Sequence, residues 1–383
     1  MKTNTGQTDT ILNRGVEEII EKDHLIELLS SGKKLRVKFG IDPTAPDIHL
    51  GHTVPLRKLR QFQEAGHQIV LIIGDFTGMI GDPSGRSEER KPLTEKDIKT
   101  NLKRYLEQAG KVLDIKKVEV HYNSEWHKKE GLAAMLEMAR AVSFQQVIKR
   151  ADFQKRIDAE QDITLIEMLY PLLQGYDSVK IKADVEVGGT DQKFNLLMGR
   201  RVQRHFKQPE QDIITVPLIE GTDGVKKMSK SYGNYIGVTE NPNDMFGKIM
   251  SIPDPLINKY FELLTDIDAP KGNPYRSKML LAETIVGMYH SPAIAKKAKE
   301  NWIKTFSKKE TPEDAKELKV KKEINLLNLL LASGVESKSE ARRLIQQKAI
   351  KIDDVTKENT EETLKLKGGE ILKVGKHRFF KIK

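Results

Sequence analysis

Apolar and polar residues alternate along the first half of the chain in blocks that predict strands, each followed by an amphipathic helix. Leu35–Ile41 has the pattern of a strand and runs into the turn-rich sequence Asp42–Asp47. Apolar residues recur at helical spacing over about 51–65, and the nearly all-apolar run Gln68–Gly74 is typical of a central parallel strand. Shorter strand patterns follow at 117–121, 179–187 and 212–217. This alternation predicts an α/β fold with a doubly wound parallel sheet.

The pattern changes after about residue 235. Residues 241–290 predict helices interrupted by prolines, and 305–322 are almost all charged or polar, as in a solvated helix or a linker. A small terminal unit with two predicted helices and two strand-like runs follows. We therefore expect three domains: a sheet-containing domain at 1–235, an α-helical domain with its linker at 236–322, and a small α+β domain at 323–383.

Composition narrows the class of protein. The 383 residues include no cysteine, which excludes disulfides, thiolate metal sites and a cysteine nucleophile, and which fits a reducing cytoplasm. No apolar run approaches the roughly 20 residues of a membrane span, and the first ten residues lack the apolar core of a signal peptide. The formal net charge of +10 favours a polyanionic partner such as nucleic acid.

One candidate site follows the first predicted strand, where His49-Leu50-Gly51-His52 stands at the start of a helix. Backbone N–H groups at a helix N-terminus bind anions, and the glycine lets a ligand approach closely. The two imidazoles could donate to phosphate oxygens. Taken alone, the motif is equally consistent with two ordinary loop histidines that bind no ligand. A metal site is disfavoured, because no third histidine or carboxylate has the usual ligand spacing.

A second candidate is the sequence Lys227-Met228-Ser229-Lys230-Ser231, which lies between glycines and places two lysines three residues apart. Such a loop can close over a triphosphate and neutralise the charge that develops on a leaving pyrophosphate. A solvated lysine-rich loop is the alternative interpretation of this motif by itself.

Together, the two motifs are similar to the paired signature of class I aminoacyl-tRNA synthetases. The resemblance implies a Rossmann-like catalytic domain at 1–235, an anticodon-side helical domain at 236–322, and ATP as a substrate. It also implies roles for individual residues. Catalysis falls to His49, His52, Arg86, Lys227 and Lys230, and ATP binding to Thr44, Gly51, Asp191, Met228, Ser229 and Ser231.

A third feature concerns the amino acid. In the helix predicted at about 162–177, Tyr170, Gln174 and Asp177 fall at i, i+4 and i+7 and share one face, which suits a pocket for a small polar ligand. Within the synthetases, this helix resembles the substrate helix of the tyrosyl family. There the tyrosine and the glutamine meet the ammonium of the substrate, and the aspartate meets its phenolic hydroxyl.

Two glycine-rich segments extend the resemblance. Gly78–Arg86 is similar to the loop in which Asp82 also holds the amino group and Arg86 lies near the phosphates. Gly188–Gln192 is similar to the segment that lines the ribose and amino-acid sites, which adds Gln192 to the tyrosine-binding set. The resemblance covers almost the whole chain, and 38–52 is its most specific piece.

The chain departs from the best-known bacterial tyrosyl enzymes at Lys38, where those enzymes have a tyrosine that contacts the substrate hydroxyl. We expect Asp177 to carry more of the hydroxyl recognition. The nearest competing substrate is tryptophan, but the tryptophanyl enzyme generally lacks a terminal RNA-binding unit. Here 321–383 holds about 15 basic and 9 acidic residues, with Lys338, Arg342 and Arg343 on one predicted helix. This layout resembles an RNA-binding module first described in a small-subunit ribosomal protein.

The resemblance as a whole implies a cytoplasmic homodimer of the bacterial tyrosyl-tRNA synthetase type. It would convert tyrosine and ATP into tyrosyl-adenylate and pyrophosphate, with Mg²⁺ held through the phosphates rather than by a dedicated metal site, and then charge the 3′ end of tRNA(Tyr). Two other classes remain open. A non-catalytic RNA-binding protein on a decayed synthetase scaffold would explain the basic tail, and a single-step nucleotidyltransferase would keep the histidine motif.

Overall fold

The computed structural model describes residues 5–42, 47–82, 95–307, 316–353, 355–375 and 378–383. The chain divides into two compact units. The first comprises 1–239 and 252–271, and the second comprises 240–251 and 272–383.

A six-stranded sheet forms the centre of the first unit. Its strands are β1 Glu18–Ile20, β2 Arg36–Ile41, β3 Gln68–Ile73, β4 Glu119–Tyr122, β5 Val185–Gly189 and β6 Asp212–Val216. They lie in the order β1-β6-β5-β2-β3-β4, all parallel except β1, which pairs antiparallel to β6. The helices of this unit are α1 Thr5–Asn13, α2 Lys22–Ser30, α3 Leu50–Glu64, α4 Thr77–Ile80, α5 Glu95–Ala109, α6 Ser124–Ala139, α7 Phe144–Ile148, α8 Ala151–Asp158, α9 Leu165–Ile181, α10 Lys193–His205 and, later in the chain, α12 Ile257–Leu264.

The strand order confirms the predicted doubly wound fold. The chain passes from β2 to β3 on one side of the sheet and returns to β5 on the other side of β2, so the direction of winding changes between β2 and β5. Parallel sheets of this kind open a crevice at the carboxyl ends of the strands beside such a switch point. The run predicted as the central strand is almost entirely buried, with Ile69, Val70 and Leu71 fully inaccessible.

The strand predicted at 179–187 begins later than its β-branched residues suggest. Thr164 caps α9 with its side chain, which accepts the backbone N–H of Glu167, and the helix continues through Val179 to Ile181. Both residues are buried in the core beneath the helix. Tertiary burial therefore outweighs the strand propensity of these residues, and Lys182 ends the helix in a left-handed conformation.

The second unit contains helices and two small sheets. Its helices are α11 Pro242–Met250, α13 Pro274–Tyr289, α14 Pro292–Ser307, α15 Leu326–Ala332 and α16 Lys338–Gln346. One sheet has the order β10-β9-β12-β13-β7 and the other pairs β11 with β8. Their strands are β7 Lys316–Leu318, β8 Glu323–Asn325, β9 Ile350–Ile352, β10 Val355–Thr356, β11 Thr363–Lys365, β12 Ile371–Val374 and β13 Arg378–Ile382.

A short strand lies within the polar segment 305–322, which was predicted as a solvated helix or a linker. Its residues, Lys316–Leu318, pair parallel to the last strand of the chain. Leu318 is buried in the same core as Leu326 and Leu372. The polar composition of 305–322 hid this strand, since only one of its three residues faces the core.

Candidate active site

The candidate site lies at the carboxyl edge of the six-stranded sheet. Asp42 follows β2, Gly74 follows β3, Asn123 follows β4, and Thr190–Gln192 forms a single 3-10 turn directly after β5. Gly74 is required for the closeness of these loops, because a Cβ there would clash with the Asp42 carboxylate and the Thr77 hydroxyl. Four strand ends thus bring their loops to one edge.

His49 and His52 form a stacked pair at the N-terminus of α3. Their ring centroids are 3.7 Å apart and the planes are inclined by 22°. The backbone N–H of His49 donates to Nδ1 of His52 over 3.3 Å, so the His52 proton is placed on Nε2. Within the part of the chain that the structure describes, Nδ1 of His49 is buried and has no hydrogen-bond partner. The pair is therefore equipped to contact a ligand at the helix start.

Both imidazoles are neutral at physiological pH. Burial, followed by the charges of His52 and Lys230, lowers the pKa of His49 to about 2. Desolvation and then the Lys230 ammonium also lower the pKa of His52. Gly51 lies against the His49 ring, and a Cβ at this position would come within 3.0 Å of its Nδ1. Neutral rings donate hydrogen bonds to phosphate without adding charge beside Lys230.

The loop with the two lysines is shaped by Asn234. The side chain of this residue is buried, and its Oδ1 accepts the backbone N–H of Ser229 over 2.8 Å. Its Nδ2 donates to the Asp223 carboxylate and to the carbonyl of Lys227. Met228 is also buried and anchors the loop, with its N–H bonded to the carbonyl of Ile219. Asn234 was not anticipated from the sequence, because it lies outside the lysine motif.

Backbone pairing brings the two phosphate motifs together. Leu50 donates its N–H to the carbonyl of Ile236, and Val238 donates to the carbonyl of Ile48, each over about 3 Å. As a result, the residues that precede α3 lie beside those that follow the lysine loop. Lys230 Nζ lies 3.4 Å from the Asp47 carboxylate, and Ser231 is exposed beside it.

The predicted amino-acid residues of α9 face a cluster of carboxylates. The hydroxyl of Tyr170 donates to Asp42 over 2.8 Å, and the hydroxyl of Thr77 donates to the other oxygen of Asp42 over 3.0 Å. Desolvation, with smaller contributions from the charges of Asp82 and Asp177, raises the pKa of Asp42 to about 7. Burial and the same carboxylates raise the pKa of Tyr170. This pocket has a negative potential that suits an ammonium group.

Asp177 is buried and oriented by residues that follow β4. Its Oδ1 accepts from Trp126 Nε1 over 2.9 Å and from His127 Nε2 over 3.0 Å, while Asn123 Nδ2 lies 3.4 Å from Oδ2. These hydrogen bonds fix the orientation of the carboxyl group. Sequence reasoning missed all three, although an asparagine, a tryptophan and a histidine at the end of a predicted strand were a usable signal.

Asp82 and Gln192, both predicted to bind the amino acid, contact each other. Gln192 Nε2 donates to Asp82 over 2.6 Å, and the buried Arg150 guanidinium lies 3.7 Å from the other carboxylate oxygen. Asp191, next to Gln192 in the chain, contacts the lysine loop, because it accepts a hydrogen bond from Lys227 Nζ over 3.2 Å. The turn after β5 therefore connects the lysine loop with the carboxylate pocket.

Lys38 does not stand in the position of a substrate contact. Its side chain is fully buried, and Nζ lies 2.9 Å from the Glu186 carboxylate and donates to the carbonyl of Gln174 and the hydroxyl of Ser178. The departure from the better-known tyrosyl enzymes is thus accompanied by a buried partner, Glu186, which the sequence did not single out.

Five predicted residues remain. Thr44 and Arg86 fall outside the described residues. Lys338, Arg342 and Arg343 are exposed on α16 in the second unit. No group of three or more His, Cys, Asp or Glu side chains among the described residues could hold a metal ion. None of the described helices is long and apolar enough to cross a membrane.

Known proteins resemble this chain over most of its length. Residues 30–307 match the family of class I tRNA synthetases for tryptophan and tyrosine. The chain is 50% identical to the tyrosine–tRNA ligase of Aquifex aeolicus, with 97% of both chains covered. It is 48% identical to that of Idiomarina loihiensis, with 100% of this chain and 99% of the relative covered.

The chain belongs to the tyrosine–tRNA ligases of the class I synthetase family. The fold is also that of more distant solved structures. The tyrosyl-tRNA synthetase of Archaeoglobus fulgidus, solved with L-tyrosine, superposes with a TM-score of 0.62 at 21% identity, covering 77% of this chain and all of the other. A mitochondrial tyrosyl-tRNA synthetase from Coccidioides posadasii gives 0.64 at 21% identity, covering 78% and 92%. As a class I synthetase, the protein uses ATP as a substrate.

Proposed function

We propose that this class I synthetase activates tyrosine with ATP at the carboxyl edge of its sheet and then charges tRNA(Tyr). The observation that carries the proposal is the turn after β5, where Asp191 contacts Lys227 and Gln192 contacts Asp82. Neighbouring residues of one turn therefore touch a phosphate motif and an ammonium pocket. That is the arrangement needed to join an amino acid to a nucleotide.

In the first step, the tyrosine carboxylate attacks the α-phosphorus of ATP, a new O–P bond forms, and the bond to pyrophosphate breaks. The carboxylate is already charged, so no general base is required. Positioning comes from Tyr170, Gln174, Asp82 and Gln192 around the ammonium, and from Asp177 at the phenolic hydroxyl. His49, His52, Lys227, Lys230 and Arg86 stabilise the charge that develops on the phosphates, and Thr44, Gly51, Asp191, Met228, Ser229 and Ser231 hold ATP.

Mg²⁺ bound to ATP would neutralise part of the phosphate charge. We expect this ion to be held through phosphate oxygens rather than by a dedicated metal site. In the second step, a hydroxyl of the terminal ribose of the tRNA takes the aminoacyl group and AMP leaves.

The exposed basic residues Lys338, Arg342 and Arg343 support RNA binding by the C-terminal domain. We assign catalysis to 1–235, an anticodon-side role to 236–322 and RNA binding to 323–383. Phosphate contacts from the basic helix would orient the folded RNA rather than read its sequence.

An unusual amount of apolar surface supports a homodimer. Leu132 is 69% and Leu136 is 58% exposed on α6, Phe144 is 61% exposed on α7, and Leu165 is 78% exposed at the start of α9. A soluble monomer rarely exposes so many large apolar residues within one stretch of chain. A second copy would bury them. The lack of cysteine agrees with a cytoplasmic location.

The decisive measurement is ATP–pyrophosphate exchange with a panel of amino acids. Tyrosine should support exchange far better than phenylalanine, because without the hydroxyl the buried Asp177 loses a partner. Tyrosyl enzymes are themselves the standard example of such discrimination, which reaches about 10⁵-fold without editing. Equal exchange with phenylalanine or tryptophan would refute the substrate, and no exchange at all would favour a non-catalytic RNA-binding protein.

A matched pair of variants tests whether Asp177 gives the preference for tyrosine over phenylalanine. Asp177→Asn keeps the shape of the side chain but removes its charge, so the preference for tyrosine over phenylalanine should shrink. Asp158→Asn, which changes an exposed carboxyl on α8, should leave the preference intact.

A further inference from the structure

A buried ion pair underlies the substrate-facing side of α9. Lys38 and Glu186 are register partners on the parallel strands β2 and β5, and their side chains are 0% and 1% exposed. The ammonium and the carboxylate are 2.9 Å apart. Removing both charges from water is costly, so a pair in this position calls for an explanation beyond packing.

The ammonium of Lys38 has three acceptors. Besides Glu186, it donates over 2.8 Å to the carbonyl oxygen of Gln174 and over 2.8 Å to the hydroxyl of Ser178. Gln174 and Ser178 are one turn apart on α9. Lys38 therefore attaches the middle of this helix to the sheet at the residue proposed to meet the tyrosine ammonium.

Glu186 contacts the side chain of the same glutamine. Gln174 Nε2 lies 3.3 Å from Oε1 of Glu186, while Oε2 accepts from Ser178 and from Gln211. An ionised carboxylate can only accept hydrogen bonds, so Gln174 must present its NH₂ group to Glu186. The amide oxygen of Gln174 is then the atom left to accept a hydrogen bond from a ligand.

The space for this network is created by a glycine on α10. A Cβ on Gly199 would come 2.5 Å from Nε2 of Gln211 and 3.2 Å from the Glu186 carboxylate. The network is thus accommodated by the packing of α10 against α9.

We propose that Lys38 and Glu186 are positioning residues for the amino-acid site, which set the orientation of the Gln174 amide so that its oxygen faces the tyrosine ammonium. This proposal rests on the proposed function, in which Gln174 binds that ammonium. Lys38 acts by pairing with the Glu186 carboxylate, which accepts from the Gln174 amide. A side chain at this position that could donate a hydrogen bond would bind the amide oxygen of Gln174 and turn its NH₂ group toward the cationic substrate.

Lys38→Met tests this chain of contacts. Without the ammonium, Glu186 loses its ion-pair partner, and the carbonyl of Gln174 and the hydroxyl of Ser178 lose the donor that attaches α9 to the sheet. We expect the KM for tyrosine in ATP–pyrophosphate exchange to rise by about 10- to 100-fold, the range for losing a hydrogen bond to a charged group, with the KM for ATP unchanged.

A double variant tests the orientation of the Gln174 amide without leaving a buried charge unpaired. Lys38→Met combined with Glu186→Gln replaces both charged side chains by uncharged ones. The introduced amide can donate as well as accept, so it no longer holds the Gln174 amide in one orientation, and the tyrosine KM should again be raised. A tyrosine KM at the wild-type value in either variant would overturn the proposal.

A tyrosine analogue without the amino group tests the contact between Gln174 and the substrate ammonium separately from the rest of the site. Competitive inhibition by 3-(4-hydroxyphenyl)propionate, which is tyrosine without its ammonium, should be the same in wild type and in both variants. Equal weakening of this compound and of tyrosine would mean that the pair only supports the fold. If Lys38→Met does not fold, the ratio of the two affinities in the uncharged double variant decides alone, and an unchanged ratio contradicts the proposal.

Arg36→Met is the matched control. Arg36 is on the same strand, but its guanidinium binds Glu119 at 2.7 Å and the carbonyl of Ile181 rather than Gln174. This variant should lose stability and keep its tyrosine KM. Failure of the proposed function would instead be seen in the wild type, as a lack of exchange with tyrosine.

Discussion

At the scale of single residues, the candidate site combines two neutral histidines with lysines whose carboxylate partners could be replaced by phosphate. His49 and His52 carry no charge at neutral pH, so the cationic contribution falls to the lysines. Lys230 is only partly buried, and its contact with Asp47 at 3.4 Å is long enough to be exchanged for a phosphate. A charge that engages the phosphates mainly in the transition state lowers the barrier more than it strengthens substrate binding.

Lys230→Ala should therefore reduce the rate of adenylate formation by about 10²–10³-fold while leaving the Kd for tyrosine nearly unchanged. Pre-steady-state fluorescence or quenched-flow kinetics separate the two quantities. The control is Lys226→Ala, which removes a lysine that lies over the Tyr232 ring just before the motif. Weaker tyrosine binding with a normal activation rate would contradict the role of Lys230.

Asp42 predicts a pH-dependent stability. Its folded pKa of about 7 exceeds its ordinary value of 3.8, so the folded protein holds this proton more tightly than the unfolded chain. Stability linked to this group is present below about pH 4 and is lost as the pH rises towards 7. Asp42→Asn removes this titrating group. The Tm difference between the variant and the wild type should therefore be more positive at pH 8 than at pH 5, by about 2–4 °C for each ~1 kcal/mol of unfolding free energy linked to Asp42.

Thermal melts at the two pH values measure this effect. Asp158→Asn should follow the wild type at both. A Tm difference for Asp42→Asn that stays constant with pH would contradict the raised pKa of Asp42.

At the scale of secondary-structure elements, the periodic segments were predictable and the contacts between them were not. The nearly all-apolar run at Gln68–Ile73 and the helical spacing of Tyr170 and Asp177 were enough to place a central strand and the helix α9. The partners of Asp177 come from residues after β4. No local pattern links these segments, because hydrogen bonds between distant elements depend on the strand order and not on sequence spacing.

Lys38 illustrates the same limit. Its sequence context suggested only that a substrate contact was missing, whereas its burial and its partner follow from the pairing of β2 with β5. The short strand at Lys316–Leu318 was missed for a different reason, since three residues carry too little periodicity to be distinguished from a polar linker.

The apolar surface of α6 and α9 predicts self-association. Leu165→Glu combined with Leu132→Glu should convert a dimer into a monomer, because two charges would have to be buried in an apolar interface. Light scattering after size-exclusion chromatography gives the mass directly. Ile294→Glu, at an exposed isoleucine of α14, should leave the mass unchanged. A wild type that is monomeric at micromolar concentration would refute the dimer.

At the scale of the whole molecule, activation and RNA binding are assigned to different parts of the chain. Every proposed activation residue precedes 232, and the exposed basic residues of α16 follow 337. The terminal domain has its own core, which includes Leu318, Leu329, Ile345 and Leu372. A domain with its own core could in principle fold alone.

A chain that ends at residue 307 should separate the two activities. This cut removes the strand Lys316–Leu318 together with the sheet it pairs with, whereas a cut near 323 would leave it unpaired. Exchange should stay close to the intact rate, while tRNA charging and affinity fall. The salt dependence of tRNA binding should become shallower, since fewer phosphate contacts release counterions. Unchanged tRNA affinity and salt slope would rule out RNA binding by the tail.

The Lys38–Glu186 pair also has a consequence for how the sheet assembles. Strands β2 and β5 are far apart in the sequence and share only the register pairs Val37–Val185 and Lys38–Glu186. A slip of one strand by one residue would turn one of the two charged side chains to the opposite face of the sheet, away from its partner. Two valines could tolerate such an error, but two buried charges cannot. The pair therefore favours one register of β2 against β5 when the two halves of the sheet assemble.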